Sequence, residues 1–113
     1  MESMDLEELN HLLVSEPAVL LYFYNDYCMP CKALRPKVAG LLKEDYPRIH
    51  AEYLSATGNP EITAHLGVFS APTLLVYFEG KEVFRGSAYT SMEELKQKID
   101  RYYTLYFDQD WEG

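Results

Sequence analysis

A chain of 113 residues, 48% apolar or aromatic and 25% charged, has the balance of one ordinary globular domain, residues 1–113, with enough interior for a single hydrophobic core. Two cysteines exclude a disulfide-scaffolded mini-protein, and a net charge of −8 argues against nucleic acid or an anionic membrane as partner. The N-terminal MESMDLEELN is acidic where a targeting peptide would be basic, and the longest apolar run, AVLLYF, is too short to cross a bilayer. The expected location is therefore the reducing cytoplasm, where a persistent structural disulfide is out of place.

In residues 5–14, Leu6, Leu9, Leu12 and Leu13 recur at helical spacing, and Pro17 ends the element. Residues 18–24 run apolar and aromatic without alternation, the pattern of a strand covered on both faces. NDYCMPC breaks that strand. Helical spacing returns over 32–44 through Leu34, Val38, Leu41 and Leu42, and Asp45-Tyr46-Pro47 closes it. A weaker strand is predicted over 49–54, then a polar loop, then a short helix over 61–66 stopped by Gly67. Residues 73–78 are strongly strand-like, and Glu79-Gly80 signals a tight turn into a second strand over 82–85. Ser91 opens the last helix, with Glu94 completing a capping box. Met92, Leu95, Ile99, Tyr102 and Tyr106 form that helix's apolar stripe. The string predicts an α/β structure: a parallel strand pair with a right-handed crossover, a hairpin added to the same sheet, and helices on both faces.

Both cysteines lie in NDYCMPCK, where Cys28 sits at a strand-to-helix junction. Unpaired backbone N–H groups and the positive end of the helix dipole favour a thiolate there. Pro30 suits a first helical turn, whose missing N–H costs nothing. Cys31 lies one turn further, within disulfide reach and better covered, so an exposed thiolate attacks and a sheltered partner resolves. Zinc would need four ligands, and His11, His50 and His65 form no HxxxH pair to complete the set. A static disulfide conflicts with the expected compartment. The redox dithiol is the favoured reading, with no metal.

VLLYFYNDYCMPCKALRPKV resembles the active-site strand and helix of the thioredoxin family, with an aromatic before the first cysteine, a proline before the second and a lysine after it. Pro36 matches the proline that kinks that family's active-site helix. FSAPTLLVYFEGK resembles the family's cis-proline segment and following hairpin, which puts the cis-proline at Pro72; a trans proline opening an edge strand is the plainer alternative. The resemblance implies that Pro72 faces the two sulfurs and keeps metal away. It also implies that the Ala71 backbone pairs with an extended substrate segment, and that Ser70 and Ala71 shape the lip of the groove.

Four departures stand out. Where the family carries a buried acid, this chain has Tyr22, and the acid's lysine partner aligns with Tyr53, a paired loss of charge and counter-charge. Core packing is the favoured role for these phenols, since a group titrating near 10 is a poor base at neutral pH. Met29 replaces a common glycine and offers a soft apolar rim. Tyr27 stands where tryptophan is usual. The family's extra N-terminal strand is missing from the predicted string, leaving a four-stranded mixed sheet with the strand at 49–54 on an edge, open to weak dimerisation. The aromatic and acidic tail, 107–113 with Trp111, either completes the core or presents a partner-binding patch, as does the aromatic run just before it.

The resemblance implies a thiol–disulfide oxidoreductase that reduces the disulfides of proteins or of small thiols, maintains redox homeostasis and is recycled by an external reductase. No bound cofactor is needed, because the cysteine pair carries two electrons. The expected potential is at or above about −270 mV. The alternatives are a redox-inactive adaptor that binds through its aromatic C-terminal helix, and a thiol oxidant or isomerase.

Overall fold

The computed structural model describes residues 4–107. Helix α1, Leu6–Ser15, is closed at its start by Asp5 and Glu8. The Asp5 carboxylate accepts from the Glu8 amide at 2.8 Å, and the Glu8 carboxylate accepts from the Asp5 amide at 2.9 Å. That reciprocal box satisfies two amides that would otherwise lack partners.

Four strands follow: β1 Ala18–Tyr24, β2 His50–Ser55, β3 Thr73–Phe78 and β4 Lys81–Gly86, laid side by side as β2-β1-β3-β4. β1 runs parallel to β2 and antiparallel to β3, and β3 pairs antiparallel with β4. The two central strands are those with unbroken apolar runs, and both are buried almost throughout. Two-faced burial has displaced alternation in them. β2 is an edge, as expected, and among the described residues the sheet has four strands.

Alternate side chains of the central strands feed two cores. Ala18, Leu20, Tyr22, Leu74, Val76 and Phe78 pack with helix α2, Met29–Asp45, and helix α4, Met92–Phe107. Val19, Leu21, Phe23, Leu75 and Tyr77 pack on the other face with α1 and helix α3, Pro60–Leu66. Gly67 caps α3 at φ 69°, a left-handed conformation in which a side chain is strained. The hairpin turn has positive φ at both Glu79 and Gly80, the type I′ geometry whose twist matches the flanking strands.

Helix α2 begins at Met29, three residues before its apolar periodicity, because Cys28 caps it and Pro30 fits its first turn. Pro36 lies within the helix. At α4 the Ser91 hydroxyl accepts from the Glu94 amide at 3.0 Å. The aromatic run packs inward: Tyr102 and Tyr106 stack on Phe78 with centroids 5.6 and 5.5 Å away. Tyr103 meets Tyr46 edge-on at 5.0 Å, and the Arg48 guanidinium covers Phe107. Only Leu105 of this run is strongly exposed. Trp111 and the tail beyond 107 lie outside the described residues.

Candidate functional site

β1 delivers the chain to the site. Its last residue, Tyr24, is followed by a short loop, and Cys28 then takes extended backbone geometry as the cap of α2. Cys28 and Cys31 are joined as a disulfide with their Cα atoms 5.2 Å apart. The Cys31 amide donates to Cys28 Sγ at 3.1 Å. The first turn of a helix leaves such amides without backbone partners, and they favour a thiolate at this position over the neutral thiol. Cys28 is half-buried and reachable, whereas Cys31 is 2% exposed.

The Ala71–Pro72 peptide is cis, and Pro72 is buried. Cys28 Sγ lies 3.7 Å from the Ala71 carbonyl oxygen, so that backbone edge borders the reactive sulfur. A cleft of about 530 Å³ opens here between Asn25, Asp26, Tyr27, Cys28, Thr57 and Ala71. Ser70 is exposed and lines a neighbouring hollow with Phe69, Arg85 and Thr90, so only Ala71 of the expected lip borders Cys28's cleft. Tyr27 and Met29 are exposed, at 97% and 72%, and Pro30 beside them is exposed too. Phe69 and Tyr89, 90% and 96% exposed, were not singled out from sequence. The aromatic directly before the SAP segment is the signal that could have found the first.

Behind the disulfide, Tyr22 and Tyr53 sit opposite each other in the β1–β2 register, with ring centroids 5.7 Å apart. The two phenols singled out from sequence are thus packed together. Tyr22 is fully buried, and its hydroxyl donates to the Cys31 carbonyl at 2.7 Å. This phenol therefore ties the core to the first turn of α2 as well as packing. Burial pushes it up to about 12, with the Arg35 guanidinium pulling the other way. It is a neutral donor at physiological pH. Tyr53 is also raised, by burial first.

Arg35 is the neighbour that sequence reasoning missed. Its guanidinium carbon lies 4.3 Å from the Tyr53 ring centre and 5.4 Å from that of Tyr24. A pocket of about 170 Å³ runs between Tyr24, Asn25, Asp26, Cys31, Lys32 and Arg35. Among the described residues no group of three or more His, Cys, Asp or Glu side chains is placed to hold a metal ion, and no helix is long and apolar enough to cross a membrane.

A dithiol pair of this kind, one sulfur reachable at a helix start and the other sheltered behind it, is the working part of thiol–disulfide oxidoreductases. The chain belongs to the thioredoxin family, whose model, described as Thioredoxin, matches residues 2–101. It is 32% identical over 88 residues to a thioredoxin of Listeria monocytogenes, covering 78% of this chain and 85% of that protein. It is 30% identical over 86 residues to the thioredoxin-like protein YdfQ of Bacillus subtilis, covering 76% of each. The X-ray structure of Fasciola hepatica thioredoxin superimposes with a TM-score of 0.72 at 29% identity, covering 89% of this chain and 98% of that one. The resemblance read from two short motifs thus extends over nearly the whole fold.

Proposed function

We propose that the chain is a protein-disulfide reductase of the cytoplasm, with Cys28 as nucleophile and Cys31 as resolving thiol. The observation that carries this reading is the asymmetry of the pair. Cys28 is reachable, holds an amide hydrogen bond and borders the backbone at Ala71, while Cys31 is buried behind it. In the dithiol form the Cys28 thiolate attacks a substrate disulfide, giving a mixed disulfide and releasing one substrate thiol. Cys31 then attacks Cys28, the second substrate thiol leaves, and the Cys28–Cys31 disulfide remains. Substrate is reduced by two electrons and the pair is oxidised by two, so no bound cofactor is required.

Ala71 offers main-chain groups to an extended substrate segment, and Pro72 shapes the surface beside the sulfurs. Tyr27, Met29, Phe69 and Tyr89 give that segment apolar surfaces to rest on. A separate reductase returns the disulfide to the dithiol. The adaptor alternative is weakened because the aromatic run through Phe107 packs against Phe78 and Tyr46 instead of forming an open patch.

The test is reduction of insulin disulfides under a thiol reductant, with the pair's potential measured against glutathione. Wild type is expected to be active, Cys28→Ser inert, and Cys31→Ser trapped as a mixed disulfide visible by mass. A potential near about −270 mV fits a reductase, and one near about −120 to −180 mV would replace this reading with an oxidant or isomerase. An inert wild type would leave the adaptor.

A further inference from the structure

Resolution needs Cys31 as a thiolate, yet Cys31 is 2% exposed and burial in apolar surroundings opposes that charge. Among the described residues no acid is buried in the core, and the Tyr22 hydroxyl behind Cys31 is already committed to the Cys31 carbonyl. Something else must make the charge tolerable. The pocket beside Cys31 shows a candidate.

Arg35 follows Cys31 by one helical turn, so the two side chains share a face of α2 and line the same pocket. Its guanidinium is held in place by the rings of Tyr53 and Tyr24. Among the described residues no carboxylate forms an ion pair with it. The charged and titratable groups around Cys31 are Asp26 from the loop, Lys32 and Arg35 from α2, Tyr22 and Tyr24 from β1 and Tyr53 from β2. Two cations against one anion leave the pocket positive. Lys32 and Asp26 are exposed and screened by solvent, while Arg35 is half-buried and keeps more of its field.

We propose that Arg35 is the positioning residue of the resolving step: fixed on Tyr24 and Tyr53, its guanidinium stabilises the Cys31 thiolate that attacks the mixed disulfide. The proposal deepens the oxidoreductase reading and rests on it. The step balances. Cys31 gives its proton to water, for which the pocket has room and for which Asn25 Oδ1, buried without a partner among the described residues, supplies an acceptor. The Cys31–Cys28 bond forms, the Cys28–substrate bond breaks, and the substrate leaves as a thiolate that takes a proton from solvent. The field of Arg35 already reaches the Tyr22 phenol, where it opposes the upward push of burial. That phenol touches the backbone of Cys31 itself.

The exchange of an internal acid for a cation changes the logic of the site. An acid would carry the proton away; a guanidinium, which stays charged at any working pH, can only lower the cost of losing it. The resolving step should therefore follow the ionisation of Cys31 alone, with no second titrating base.

The test uses Cys28→Ser, in which Cys31 is the only thiol, and follows the ultraviolet absorbance of its thiolate against pH. Adding Arg35→Gln is expected to move the midpoint up by about one pH unit, a tenfold loss of thiolate at neutral pH. Arg35→Lys should restore most of it, because the charge and not the stacking is what Cys31 feels. Arg35→Met, which keeps an unbranched stem against the two rings, should move the midpoint up in the same way and supplies the answer if Arg35→Gln fails to fold. An unmoved midpoint in a folded Arg35→Gln or Arg35→Met protein, or an Arg35→Lys protein that behaves like Arg35→Gln, would overturn the proposal. Because the titration involves no turnover, it stands or falls separately from the insulin assay.

Discussion

The two ends of the central sheet use the same kinds of residue to opposite purpose. At one end, beyond Tyr24 and before Thr73, lie the disulfide, the cis peptide and four large exposed side chains: Tyr27, Met29, Phe69 and Tyr89. At the other, where Ala18 pairs with Phe78, aromatic rings from α4 and the end of α2 are turned against one another. One end keeps aromatic rings in water, which costs stability; the other packs its rings together. The difference teaches where the fold keeps its stability and where its chemistry. α4 braces the end of the sheet away from the cysteines, which leaves the reactive end free to stay open.

The largest effect should come from breaking the braced end. Phe78 is 1% exposed and is flanked by Tyr102, Tyr106 and Phe107. Phe78→Ala is expected to cost about 3–5 kcal/mol in urea unfolding, through lost burial and the cavity left behind. The redox potential of the folded fraction should stay unchanged. A changed potential would mean that the two ends are coupled through β3.

Tyr22 tests the other end. Tyr22→Phe keeps the ring between the core and Tyr53 and removes only the hydroxyl that donates to Cys31. The expected cost is about 1–2 kcal/mol, accompanied by a shift in the potential of the Cys28–Cys31 pair. Loss of stability with an identical potential would reduce Tyr22 to packing.

Much of this division was legible in the sequence, and what was not has physical reasons. The order of elements, the central strands, the hairpin turn and the cysteine pair could all be read, because unbroken apolar runs, Glu79-Gly80 and CxxC are local signals. Tyr22 and Tyr53 were also singled out as a pair, and the structure places them side by side. Arg35 was not legible: an arginine on a helix is ordinary until two tyrosines from different strands close around it. Asn59 escaped for the same reason. Its side chain joins the Met4 amide to the Ser55 carbonyl, partners far apart in the chain. The apolar spacing of α2 begins only at residue 32, but the junction read at Cys28 and the first turn read at Pro30 mark its true start, where the Cys28 sulfur does what a capping oxygen does.

A smaller effect of opposite sign is expected at Tyr77, on the braced end. Its hydroxyl is buried and has no hydrogen-bond partner among the described residues. Tyr77→Phe removes a desolvated polar group that receives nothing in return, so stability should rise by about 1 kcal/mol. Tyr22→Phe and Tyr77→Phe are thus the same chemical change with opposite outcomes. A loss of stability at Tyr77 would show that its hydroxyl is satisfied in solution.

The last comparison has no effect at neutral pH and emerges only in alkali. Tyr22 at the reactive end and Tyr46 and Tyr77 at the braced end are each pushed up to about 12, in every case by burial first. At Tyr46 the hydroxyl's hydrogen bond to the Asp100 carboxylate adds to the rise, and Lys96 opposes it. Raised phenols stay protonated in the fold while the unfolded chain loses protons from about pH 10, so the unfolded state binds fewer protons and stability falls as pH rises. The contribution is complete below about 10 and is lost by about 12. Urea unfolding at stepped pH should therefore be flat from these groups up to about 10 and steepen above it. Of the three phenols pushed up to about 12, two stand at the braced end, so Tyr46→Phe combined with Tyr77→Phe should flatten the alkaline limb more than Tyr22→Phe alone does, although Tyr53 beside Tyr22 is raised as well. The reverse order would place the alkali-sensitive contacts behind the disulfide, and the braced end would no longer be the one that holds the fold.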